Sequence, residues 1–94
     1  MATEIIDNSE TSRYEAIVDG QLAGFVEYER QDDFVVYPHT EVSGAFRGQG
    51  IADKLVRRAM DDMRANGDKV YALCPYVKRW LSEHDDYEDV VYHP

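Results

Sequence analysis

Between Gly50 and Gly67 apolar residues recur three and four apart: Ile51, Ala52, Leu55, Val56, Ala59, Met60 and Met63. Asp53, Lys54, Arg57, Arg58, Asp61 and Asp62 fall between them, so the period predicts an amphipathic helix over residues 51–66 that buries Ile51, Leu55, Val56, Ala59 and Met60. Asn66-Gly67 closes it, because glycine takes the left-handed conformation that ends helices. Upstream the pattern is that of strands. Arg13–Val18 reads as a first strand, Asp19-Gly20 as a hairpin turn, and Leu22–Glu29 as a second strand carrying Phe25, Val26 and Tyr28. Asp32-Asp33 turns the chain again, and Phe34–Ser43, dense in β-branched and aromatic residues, reads as a central third strand. Pro38 removes a ladder hydrogen bond inside that strand and predicts a bulge or bend.

Downstream, Lys69–Leu73 reads as a short fourth strand, and Pro75–Glu83 as a second helix with proline at its tolerant first position and Tyr76, Val77, Trp80 and Leu81 on one side. Residues 1–11 read as a polar lead-in whose Ile5-Ile6 pair adds at most a strand edge, and Asp85–Pro94 as an acidic tail. The order strand, strand, strand, helix, strand, helix predicts an α+β fold. Its sheet is mostly antiparallel, with the third and fourth strands parallel across the first helix through a right-handed crossover.

Composition narrows the setting. The 94 residues fit a single domain, and 44% apolar with 12% aromatic residues suffices for a core, so the chain is expected to act as a monomer or weak homodimer. One cysteine forms no internal disulfide, and no apolar run approaches the roughly 20 residues that span a bilayer. With no signal pattern at the start, a reducing, cytoplasmic location is the expectation. A net charge of −9 repels nucleic acid and anionic membranes, which leaves a basic or small partner. The stretch 47–64, with Arg47, Lys54, Arg57, Arg58 and Arg64 against three acids, is net positive.

That stretch follows a glycine-rich turn. A strand running into glycines 44, 48 and 50 and then a helix start aims several unpaired backbone amides at one point, where the helix dipole favours an anion. Arg47 adds charge-assisted bonds to a phosphate. The same residues also serve as an ordinary tight connection, and neither the dinucleotide fingerprint nor the Walker loop is present.

Arg47-Gly48-Gln49-Gly50-Ile51-Ala52 matches the acetyltransferase signature Arg/Gln-x-x-Gly-x-Gly/Ala. With His39-Thr40-Glu41-Val42, Leu55-Val56, Leu73-Cys74-Pro75-Tyr76-Val77 and His84-Asp85-Asp86-Tyr87, the chain resembles the miniature, single-domain (YjdJ-type) branch of the GCN5-related N-acetyltransferases over residues 13–91. Asp85 stands where that branch usually has proline. The resemblance implies a minimal acyl-CoA N-acyltransferase fold and acetyl-coenzyme A as the acyl donor. It places the pyrophosphate on the amides of Arg47, Gly48, Gln49, Gly50, Ile51 and Ala52, and the pantetheine arm near Glu41, Val42 and Ser43, with Tyr76 as a further cofactor-binding residue. The chain is too short for the extra helices and closing strands of full-size acetyltransferases, which leaves the acceptor side open. The resemblance therefore implies acetyl transfer to an amine, a protein lysine or a small molecule. The alternative is a non-catalytic acyl-CoA-binding or protein-interaction module.

A general base near the acetyl group helps an amine lose its proton, and histidine suits that work near neutral pH. His39, on the third strand just before the loop, is the candidate, with Glu41 on the same strand face to orient it; the competing role is a partly buried strand histidine. Cys74, directly before Pro75, is expected to cap the second helix, where the dipole favours a thiolate. The resemblance implies a functional cysteine there, whereas a lone thiol is commonly structural. His39, His84, His93 and Cys74 lack the spacing of metal ligands.

Overall fold

The computed structural model describes residues 2–94. Its strands are β1 (Thr3–Asn8), β2 (Arg13–Val18), β3 (Gln21–Arg30), β4 (Val35–Val42) and β5 (Val70–Ala72), and its helices α1 (Ile51–Asn66) and α2 (Pro75–Ser82). The strands form one sheet in chain order, with β1 to β4 antiparallel and β4 parallel to β5. The three strands expected before the helix are thus β2, β3 and β4. Val18 pairs with Gln21 across Asp19 and Gly20, whose φ values of 49° and 81° are those of a tight hairpin turn.

α1 follows its sequence period closely. Ile51, Leu55, Val56, Ala59, Met60 and Met63 are buried against Tyr14, Ala16, Val18, Val26, Val35 and Tyr37 of the sheet. Gly67, at φ 76°, closes the helix through its N–H to the Arg64 carbonyl, and Asp68 N–H reaches back to Met63. α2 contributes Val77, Trp80 and Leu81 to the same core.

Both ends of the chain are more ordered than the sequence suggests. The lead-in contains a regular edge strand, paired from Thr3↔Val18 to Asn8↔Arg13 and tied to the core by the Tyr28 hydroxyl, which donates to Asp7 at 2.7 Å. The acidic tail winds through a 3₁₀ turn, Asp85–Val90, that buries Tyr87 and Val90. Tyr87 donates to Asp61 at 2.6 Å, and Tyr92 N–H bonds the Val70 carbonyl beside a Val70↔Val91 bridge. A few apolar side chains without a period anchor these segments, so periodicity alone could not reveal them.

Pro38 sits at a bulge. Glu27 pairs with His39 and Glu29 with Val36, so Tyr28 alone stands opposite both Tyr37 and Pro38. The extra residue shifts the alternation of β4 by one. Val35 and Tyr37 face the helices before it; Thr40 and Val42 do so after it, and His39 and Glu41 turn to the other face, where both are exposed.

Candidate functional site

β4 and β5 pair only from Val35↔Val70 to Tyr37↔Ala72. The Tyr37 carbonyl accepts from the N–H of Leu73 at 3.2 Å and of Cys74 at 2.9 Å, and there the two strands part. From Pro38 to Val42, β4 has β3 on one side and, among the described residues, no strand on the other. The chain then passes through a 3₁₀ turn, Gly44–Phe46, and the loop Arg47–Gly50 into α1. Gly48 and Gly50 hold φ values of 80° and 72°, and a Cβ on either would meet only open space. Conformation, not crowding, requires glycine at both.

The first helical hydrogen bond runs from Lys54 N–H to the Gly50 carbonyl at 3.1 Å. Ahead of it, the backbone amides from Gly48 to Asp53 have no backbone acceptor among the described residues, and the N-cap, Gly50, has no side chain to offer one. Consecutive donors of this kind at the positive end of a sixteen-residue helix form an anion cradle. Beside them lies a cleft of about 220 Å³. Of the residues singled out in the sequence, Val42, Arg47, Gly48, Gly50, Ile51, Ala52 and Tyr76 line it. Glu41, Ser43 and Gln49 do not. Phe46 and Asp53 complete the lining, and neither was visible as a site residue in the sequence. A larger cavity of about 290 Å³ lies elsewhere, between β5, Leu81 and Val91.

Cys74 caps α2 and is buried; its Sγ lies 3.4 Å from Thr40 Oγ1. Cys74 therefore borders β4 on the helix side, just past the point of parting. His39 is half exposed on the opposite face, with Nε2 3.4 Å from Glu41 Oε1 and its ring 6.1 Å from that of Phe25. The strand thus separates the two candidate catalytic groups, and the bulge at Pro38 is the cause. Thr40 is a further residue the sequence reading missed, and Pro38 was the signal that could have exposed it.

Two charged features shape the cleft. Burial, and then the neighbouring Asp53 carboxylate, raise the Tyr76 phenol above its ordinary value, so it stays a neutral donor. Asp53 Oδ1 accepts from Trp80 Nε1 at 2.8 Å and lies 3.6 Å from an Arg57 Nη2.

The sequence profile of the GCN5-related N-acetyltransferases matches residues 13–90. The chain belongs to this family. Its five-stranded mixed sheet, with β4 and β5 parallel across α1, is that of a GCN5-related N-acetyltransferase fold. Over 46 residues it is 41% identical to protein NATD1 of Xenopus tropicalis, a match that takes in 49% of this chain and 42% of that protein. The match thus spans less than half of that curated relative. The solution structure of a GCN5-like protein from Staphylococcus aureus superposes with a TM-score of 0.75 at 26% identity, over 97% of this chain and 89% of that one. N-acetylglutamate synthase from Neisseria gonorrhoeae, solved with coenzyme A and N-acetylglutamate, shares the fold with a TM-score of 0.63 at 21% identity, over 78% of this chain and 18% of that one. No helix of the described residues is long and apolar enough to cross a membrane.

Proposed function

We propose that this chain is a miniature N-acetyltransferase that takes acetyl from acetyl-coenzyme A and passes it to an amine, acting in the reducing cytoplasm. The observation that carries the reading is the run of amides from Gly48 to Asp53 without a backbone acceptor, set beyond the length of β4 that does not pair with β5. Those amides and the Arg47 guanidinium suit a diphosphate. The bare edge of β4 from Pro38 to Val42, with Tyr76 nearby, suits the amide-bearing pantetheine arm. The thioester supplies an activated acyl carbon.

The remaining work falls to residues on the two faces of β4. Cys74 and Thr40 line the donor side. His39, backed by Glu41, takes the proton of an amine arriving on the uncovered face, where Glu27 is its cross-strand partner. Exposed carboxylates and a net charge of −9 favour a cationic acceptor, a lysine side chain or a small polyamine.

Calorimetry tests the donor site. Acetyl-coenzyme A should bind in a salt-sensitive way, and Gly50→Glu, which brings a side chain and a negative charge to the cradle, should abolish binding in a folded protein. Unchanged binding in that variant would remove the loop from the site. Release of free thiol on adding lysine peptides, polyamines or amino sugars tests transfer. Tight binding with no release for any amine class would favour a non-catalytic acyl-coenzyme A module.

A further inference from the structure

Asp53 occupies the third position of α1, from which an acidic side chain ordinarily reaches back to the amide of the capping residue. Here that amide belongs to Gly50, one of the cradle donors. Asp53 is bonded elsewhere. Its carboxylate turns across to α2, where the Trp80 indole N–H holds it at 2.8 Å and Arg57 stands 3.6 Å away.

Trp80 is built to hold that orientation. It is 3% exposed, with His84 stacked on its ring at 3.8 Å and 13° and Tyr87 edge-on at 5.0 Å. His84 Nδ1 lies 2.6 Å from the Trp80 carbonyl and Nε2 lies 3.4 Å from Arg57. A proton on Nδ1 satisfies both contacts. The indole plane is thus fixed by its neighbours, and Asp53 is the partner of its one donor.

We propose that Trp80 is a positioning residue for the diphosphate site: by holding Asp53 on α2 it keeps a carboxylate off the amides that the acyl donor needs. Released, Asp53 competes with the diphosphate for the same donors and repels it. The inference rests on the donor site proposed above and adds to it a residue that does not line the cleft.

Calorimetry with coenzyme A on the full chain separates the two ideas. Trp80→Phe keeps an aromatic ring and loses the N–H, and should weaken coenzyme A about tenfold, the scale of one charge at a helix N-terminus. Trp80→Phe/Asp53→Asn, which has no charge to swing back, should recover most of that loss. Equal binding by wild type and Trp80→Phe overturns the inference and leaves the donor site standing, and so does a double variant as weak as the single, which marks simple loss of packing. Wild type that does not bind coenzyme A overturns the donor site and this inference together. Should Trp80→Phe melt too low to assay, wild type still decides. Trp80 is the only tryptophan, so its indole N–H gives one signal in a nitrogen-correlated NMR spectrum. That signal should stay protected from solvent exchange when coenzyme A is bound; exposure on binding would show that the bond is released, against the proposal.

Discussion

The Cys74 thiol meets the Thr40 hydroxyl at 3.4 Å, joining the cap of α2 to β4 just beyond the last β4–β5 pair. The contact fixes the thiol on the helix side of the sheet, buried and bonded to a neutral partner. A residue that lines the acyl group without carrying it fits that setting, since nucleophilic use would need the sulfur free and in line with the thioester carbonyl. Cys74→Ala should therefore retain measurable transfer. Intact mass after incubation with acetyl-coenzyme A alone should show no acetyl adduct. A stoichiometric adduct on Cys74, discharged by added amine, would make it the nucleophile instead.

His39 stands across the strand from that thiol, half exposed beside Glu41. Removing a general base costs roughly a hundredfold or more in turnover. His39→Ala should lower kcat by that order with little change in KM for acetyl-coenzyme A, because the ring faces away from the donor cleft. Loss confined to KM would assign His39 to binding, and full activity would remove it from the reaction.

How much of this was legible beforehand depends on what each feature rests on. The period of α1 is written in its own residues, and both its ends were readable from Gly50 and Asn66-Gly67. The turn into α1 was readable because its conformation lies in the glycines themselves. β1 was not legible beyond a strand edge at Ile5-Ile6, since Thr3–Asn8 is half exposed and becomes a regular strand through its ladder with β2. Nor was the tail, where Tyr87 and Val90 supply the anchors without a pattern. Pro38 announced a bulge, but its consequence was hidden: one extra residue sends His39 to one face and Thr40 to the other. A strand's periodicity gives faces only as far as its register is unbroken.

Leu55 is fully buried in the α1 stripe. Leu55→Ala removes packed atoms and leaves a cavity, at a cost of about 2 to 5 kcal/mol. In a chain of 94 residues that should lower Tm by roughly 10 °C or more, measured by circular dichroism. A melt within a degree or two of wild type would show that the stripe does not hold the helix to the sheet.

Tyr14, Tyr28 and Tyr37 lie side by side on the helix face of β2, β3 and β4, with ring centroids 5.6 and 6.1 Å apart. Burial, reinforced for two of them by hydrogen bonds to Asp62 and Asp7, holds all three phenols neutral. Tyr28 is pushed up to about 12, and Tyr14 and Tyr37 are raised as well. A folded-state value above the unfolded one, near 10, means stability that is fully present below pH 10 and lost as pH climbs through the folded value. The denaturant midpoint should therefore stay level from about pH 7 to 9 and fall between about pH 10 and 12, with tyrosinate absorbance rising as the helical signal is lost. Tyr37 adds a second check, for its buried hydroxyl has no hydrogen-bond partner among the described residues. Tyr37→Phe deletes an unsatisfied polar group without opening a large cavity, so its stability at pH 7 should equal or exceed that of wild type. It should also lose less between pH 10 and 12, because one of the phenols that must ionise is gone. A variant destabilised by more than about 1 kcal/mol at pH 7 would mean that the hydroxyl is hydrogen-bonded in solution.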